Sequence, residues 1–212
     1  MIYWFLWVIA HLLVRVLYRV SYSGGGNLPK RGPAIVCANH LGWWDPIIFA
    51  LACRRRIYFL AKAELFDNKA FALLLRSIGA FPVRRGEPDR RAIEWALRVL
   101  KEGKVLGIFP EGTRDRTGTL RRAEPGVGLL VLHSGAPVVP GYFRGPYGFR
   151  KPVRLVIGKP VQIAVENDAA KTGAEKRQAA ADAVMEAIAA LGGRAEEYGR
   201  LVRAVPSRQP GG

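Results

Sequence analysis

Short, unbroken apolar runs constrain this chain most. Residues 34–38 read Ala-Ile-Val-Cys-Ala, and similar runs recur at 57–61, 105–109 and 138–142. A strand with one face in water alternates polar and apolar positions, whereas these runs do not, so they predict strands buried on both faces. Between them lie helical patterns at 47–53, 68–78, 88–101, 127–133 and 174–191. Several carry their own punctuation: Asp45-Pro46 opens the first as N-cap and first-turn proline, and Gly79, Gly103, Gly135 and Gly192-Gly193 close the later ones. A short strand is expected at 81–84, and one or two more at 153–157 and 161–165. Strand alternating with helix predicts an α/β fold: a mixed, largely parallel sheet flanked by helices and joined by crossover connections. At 212 residues the chain suffices for one such domain, expected over 23–205, with a flexible tail at 206–212.

In such sheets ligands sit at the carboxyl ends of the strands. Four segments fall there. Asn39-His40-Leu41-Gly42-Trp43-Trp44-Asp45 follows the first buried strand and brings an imidazole and a carboxylate to one turn. That pair is a general-base arrangement, the carboxylate fixing the imidazole tautomer and stabilising its cation. The plainer readings are a turn histidine for His40 and a helix cap for Asp45. Gly79 through Arg85 to Gly86 ends a short apolar stretch in two arginines, suited to a phosphate or simply solvated. Phe109-Pro110-Glu111-Gly112-Thr113-Arg114 gathers a carboxylate, a hydroxyl and a guanidinium at a strand end. Those groups suit a polar head bearing hydroxyls and a phosphate; the alternative is a capped turn with a Glu111–Arg114 ion pair. Ala136-Pro137-Val138-Val139-Pro140 offers apolar walls and no reactive group.

The amino-terminal segment has a different character. Within residues 1–20 only His11, Arg15 and Arg19 are not apolar, and their spacing of four forms one narrow helical stripe. The basic residues follow the apolar run and no small-residue cleavage site comes after, which argues against a cleaved signal peptide. The uncharged run, 1–14, is short for a span, so residues 1–22 are expected to form a membrane-interface helix, with Tyr3, Trp4, Trp7 and Tyr18 near the headgroups. Packing on the protein's own core is the alternative, and both can hold in part. Lys and Arg number 33 against 17 Asp and Glu, a net charge of +16 that favours polyanionic partners. Two cysteines, Cys37 and Cys53, make no disulfide framework, and three histidines are too few for a His-rich metal site.

Taken together, the four segments resemble those of the glycerophosphate/lysophosphatidate acyltransferase family, in its bacterial 1-acyl-glycerol-3-phosphate acyltransferase type. Asn39-His40 through Asp45 matches the family's N-H-x-x-x-x-D box. Gly79 to Arg85 is similar to its G-x-x-F-x-x-R box, with Pro82 where Phe is common. Residues 109–114 match F-P-E-G-T-R in full, and 136–140 resemble the proline-bracketed fourth box. The resemblance covers roughly residues 25–165. It implies that His40 and Asp45 are catalytic and that Asn39, Arg85, Glu111, Gly112, Thr113 and Arg114 bind substrate. It further implies acyl transfer from acyl-CoA or acyl carrier protein to the sn-2 hydroxyl of lysophosphatidic acid, giving phosphatidic acid. Neither a cofactor nor a metal is implied. The partner would be an anionic phospholipid membrane, met at its cytoplasmic face.

Two other readings compete. One keeps the fold and changes the acceptor to glycerol-3-phosphate, a lysophospholipid or another lipid alcohol. The second is a non-catalytic membrane- or nucleic-acid-binding protein driven by charge, with basic clusters at Arg54-Arg55-Arg56, Arg90-Arg91 and Arg121-Arg122. No zinc spacing, RNP-like motif or basic zipper accompanies those clusters, and the apolar amino terminus favours lipid, so no nucleic-acid partner is expected. A Cys37–His40 nucleophile is set aside because Cys37 lies in a buried run, where the thiolate is disfavoured.

Overall fold

The computed structural model describes residues 2–84, 89–115, 117–164 and 171–204, with side chains from Phe5 onward. Among them, seven strands form one sheet in the order β1-β7-β6-β2-β5-β3-β4. These are β1 (Arg19–Ser23), β2 (Ala34–Ala38), β3 (Ile57–Lys62), β4 (Ala80–Val83), β5 (Val105–Ile108), β6 (Val138–Arg144) and β7 (Pro152–Ile157). All neighbours run parallel except β6 and β7, which are antiparallel. The expected mixed, largely parallel sheet is therefore observed. The helices are α1 (Ile2–Leu17), α2 (Asp45–Ala52), α3 (Lys69–Ser77), α4 (Arg90–Lys101), α5 (Pro125–Ser134), α6 (Gly173–Leu191) and α7 (Ala195–Ala204).

Both faces of the sheet are covered, as the unbroken apolar runs require. Ile35, Cys37, Leu106 and Val138 point to a core shared with α4, α5, α6 and α7, while Ala34, Val36, Val105 and Val139 point to a second core with α1 and α2. Helix starts follow local chemistry: Asn68 and Asp89 accept from backbone N–H groups three residues on, and Thr172 and Glu175 form a reciprocal capping box. Chain direction places the ends of β2, β5, β3 and β4 along one edge. β2 lies between β5 and β6, so the chain crosses back over it and the crevice opens beside its carboxyl end.

Four expectations change. The first helix stops at Leu17, not at residue 22, and Arg19–Ser23 become a strand at the sheet edge, where the Arg19 N–H bonds the Lys151 carbonyl at 3.1 Å. Residues 21–33, whose Gly24-Gly25-Gly26 and Pro29 read in the sequence as a flexible link, thus begin as sheet and are anchored further on, where Asn27 Nδ2 donates to the Ile157 carbonyl at 2.9 Å. Of the strand expected at 161–165, a single bridge from Val161 to Val138 is present, and residue 165 lies outside the described residues. Helix α7 went unforeseen because its apolar side is sparse; Tyr198 alone is fully buried and donates to Asp182 at 3.1 Å. The tail at 206–212 lies outside the described residues.

The basic clusters are partly internal fasteners. Arg55 donates to the carbonyls of Pro29, Gly32 and Gly103, and Arg122 grips Asp182 at 2.8 Å. Among the described residues no helix is long and apolar enough to cross a membrane. Val14 of α1 is buried, and Trp7 packs on the core with its Nε1 3.5 Å from the Ala50 carbonyl. Phe5, Val8, Ile9, Leu12, Leu13 and Val16 stay exposed. One edge of α1 therefore packs on the protein while the rest faces outward.

Candidate active site

β2 ends at Ala38, and the next two residues set the site. Asn39 is buried, its Nδ2 donating to the Phe143 carbonyl at 3.1 Å and its Oδ1 accepting from the Phe143 N–H at 2.7 Å. Both ends of the amide are thus engaged by β6. Asn39, expected to bind substrate, pins the loop that carries His40. The His40 carbonyl accepts from the Asp115 N–H at 2.8 Å, and the His40 N–H lies 3.4 Å from Glu111 Oε2, so the loops after β2 and β5 are stitched together.

His40 Nδ1 lies 2.7 Å from Asp45 Oδ2, with both side chains buried. A carboxylate acceptor at Nδ1 selects the tautomer with the proton there and leaves Nε2 as the basic nitrogen. Asp45 was expected to cap α2, but Trp44 occupies that position without a side-chain bond. Asp45 is the first helical residue, and its Oδ2 reaches back to the N–H groups of Leu41 at 2.6 Å and Gly42 at 2.8 Å. Its other oxygen accepts from the Tyr147 hydroxyl. The His40 ring stacks on Phe109, centroids 4.1 Å apart, which walls one face with apolar surface.

Glu111 is buried beside this pair, and among the described residues Oε1 has no hydrogen-bond partner. Burial, partly opposed by the His40 N–H, pushes its carboxyl from the ordinary 4.5 up to about 7. Gly112 turns the chain at φ 67°, a conformation costly for other residues, and a Cβ there would press on Glu124 Cγ at 3.1 Å. Thr113 is exposed. Arg114 does not pair with Glu111; its guanidinium lies 3.5 Å from the Trp43 ring centroid, a cation–π contact that joins the two loops again. Arg85 lies outside the described residues. Its neighbour Arg84 lines a cleft of about 540 Å³ with Phe81, Pro82, Asp89, Arg90 and Arg91. That cleft follows β4, three strands along the edge from β2, or about 14 Å at ~4.8 Å per strand. Cys37 is buried and its thiol is pushed far above the ordinary range, unsuited to a nucleophile. Among the described residues no group of three or more His, Cys, Asp or Glu is placed to hold a metal ion.

Sequence reasoning missed Tyr147, Trp43 and the Phe109 stack. Tyr147 sits in the loop between β6 and β7, outside every recognisable box; Trp43 and Phe109 were in view without a pattern that gives their direction.

Known proteins resemble this chain in sequence and in fold. The acyltransferase family model matches residues 19–144. The 1-acyl-sn-glycerol-3-phosphate acyltransferase of Bacillus subtilis is 36% identical over 145 residues, 65% of this chain and 71% of that protein. That of Streptococcus pneumoniae is 30% identical over 72% of this chain, which spans 61% of its length. The lyso-ornithine lipid O-acyltransferase of Pseudomonas aeruginosa is 34% identical over 63% of this chain and 50% of its own. The crystal structure of the 1-acyl-sn-glycerophosphate acyltransferase of Thermotoga maritima superposes with a TM-score of 0.65 at 23% identity, over 91% of this chain and 81% of that one, and so shares the fold. The chain belongs to the acyltransferase family and is an enzyme of that class.

Proposed function

We propose that the enzyme transfers a fatty acyl group from acyl-CoA or acyl carrier protein to the sn-2 hydroxyl of 1-acyl-glycerol-3-phosphate, at the cytoplasmic face of a membrane. The observation that carries this reading is the buried His40–Asp45 pair, 2.7 Å apart, at the carboxyl edge of the sheet. His40 Nε2 takes the proton of the acceptor hydroxyl as its oxygen attacks the thioester carbonyl, and Asp45 stabilises the imidazolium. When the tetrahedral intermediate collapses, the C–S bond breaks and the thiolate leaves with the proton held on His40. The ester and the free thiol are the products, and no enzyme-bound acyl group is needed because the thioester is already activated. Arg114, Arg85, Gly112 and Thr113 are assigned to the acceptor's phosphate and glycerol, with Glu111 beside the reacting hydroxyl. The apolar outer face of α1 supports insertion into the bilayer interface, where both lipid substrates reside.

A second acceptor class has specific support. The Pseudomonas relative is named for lyso-ornithine lipid, whose head differs from glycerol phosphate. An acceptor panel separates the two. With oleoyl-CoA as donor, thiol release should be fastest with 1-oleoyl-glycerol-3-phosphate, and slower by tenfold or more with lyso-ornithine lipid and glycerol-3-phosphate. The reverse order would move the assignment to the other acceptor.

A further inference from the structure

We infer that Tyr147 is a positioning residue of the catalytic pair, acting through Asp45. The inference rests on the reading of His40–Asp45 as the general-base pair. Its hydroxyl donates to Asp45 Oδ1, the oxygen facing away from the one that holds His40 and the Leu41 and Gly42 N–H groups. Asp45 therefore has both oxygens fixed, and its plane, and with it the imidazole, is set from two sides. The Tyr147 ring is held as tightly as its hydroxyl. A Cβ on Gly42 would lie 3.0 Å from Tyr147 Cδ2, so glycine at 42 is what lets the ring lie against the His40 turn. Tyr18 meets the ring edge-on, centroids 5.4 Å apart.

The loop bearing Tyr147 is clamped to the end of α1, the Arg150 N–H donating to the Leu17 carbonyl at 2.7 Å and the Arg19 N–H to the Lys151 carbonyl at 3.1 Å. The junction of α1 with β1 and the catalytic turn thus share one support. Burial and the adjacent Asp45 carboxylate hold the Tyr147 hydroxyl well above the usual phenol range, so it remains a proton donor at every working pH. Donation draws charge from Asp45 and tempers its pull on the imidazolium. Removing the hydroxyl concentrates that charge toward His40, so the histidine should become more basic. Among the described residues, the other titratable groups shown bonded to the His40 turn are Glu111, whose Oε2 faces the His40 N–H, and Asp115, whose own N–H donates to the His40 carbonyl while the carboxylate is turned to Thr117 and Arg121.

The test uses full-length enzyme and the Tyr147→Phe variant, which keeps the ring. With three histidines in the chain, ring NMR signals resolve, and that of His40 is the one missing from His40→Ala. Tyr147→Phe should raise the His40 titration midpoint by about half a unit or more. It should also lower kcat about tenfold with oleoyl-CoA and 1-oleoyl-glycerol-3-phosphate, with both KM values unchanged. Gly42→Ala, which displaces the ring and leaves the hydroxyl present, should move both readouts the same way. An unmoved midpoint and unmoved kcat would overturn the proposal, as would a lowered melting temperature with an unmoved midpoint. A raised midpoint in protein that acylates none of the acceptors would uphold the link while overturning the functional reading.

Discussion

At the scale of single residues, burial decides the chemistry. His40 and Asp45 are both buried from solvent, and the 2.7 Å contact between them works at low dielectric, where orientation of the imidazole is strong. Glu111 shows the opposite side of burial. Its folded pKa, about 7, lies above the ordinary 4.5, so the folded state binds the extra proton between those values. This contribution to stability is present below pH ~4.5, is lost as pH rises through ~7, and amounts to about 3 kcal/mol at full loss. Glu111→Gln removes the titration. Its melting temperature relative to wild type should therefore be higher at pH 8 than at pH 5, by several degrees in thermal unfolding at the two pH values. A difference independent of pH would mean that Glu111 is already ionised without penalty. His40, Asp45 and the F-P-E-G-T-R turn were legible because short motifs at strand ends dictate where a side chain can stand. The use of Asn39 was not, since its bonds to Phe143 join residues 104 positions apart, and nothing local to either residue records such a pairing.

Among the elements, the central strands follow directly from the sequence, and the strand at 34–38 coincides with its apolar run, whereas the N-cap read at Asp45 falls on Trp44. Edges were harder to read. β1 carries Arg19, Ser21 and Ser23 and gains strand geometry from pairing with β7 far along the chain, so its local pattern gives no sign of it. Helix α1 divides its surface between two roles, and the two can be separated. Phe5, Leu12 and Val16 are exposed, whereas Val14 is buried against the core. Changing the first three together to serine should remove several kcal/mol of apolar insertion at roughly 1.5–3 kcal/mol for each large side chain. Vesicle binding should then become sensitive to salt, because what remains is screened attraction between a basic protein and anionic lipid. Flotation with anionic vesicles at low and high salt checks this, with the melting temperature nearly unchanged. Val14→Ser should instead lower the melting temperature. A triple variant that floats at high salt like wild type would place the membrane contact elsewhere.

For the molecule as a whole, one edge of a largely parallel sheet collects the loops after β2, β5, β3 and β4, and the amino-terminal helix lies on the side of the sheet that also carries α2 and Leu41 of the His40 turn. That geometry brings the buried His40–Asp45 pair, the turn after β5 and the exposed apolar face of α1 into one domain of a chain with a net charge of +16. The fold class was legible throughout, because unbroken apolar runs alternating with helices admit few other solutions. The chain's long-range ties were not, including Arg55 to Pro29 and Gly103, Arg122 to Asp182, and Arg114 to Trp43. The most direct test is turnover by full-length enzyme on vesicles containing 1-oleoyl-glycerol-3-phosphate, with oleoyl-CoA supplied and both free thiol and phosphatidic acid measured. Wild type should release one thiol for each phosphatidic acid formed, and His40→Ala, folded as judged by circular dichroism, should be slower by about 10²–10⁴-fold. Near wild-type turnover in folded His40→Ala would contradict the assignment of His40 as the base.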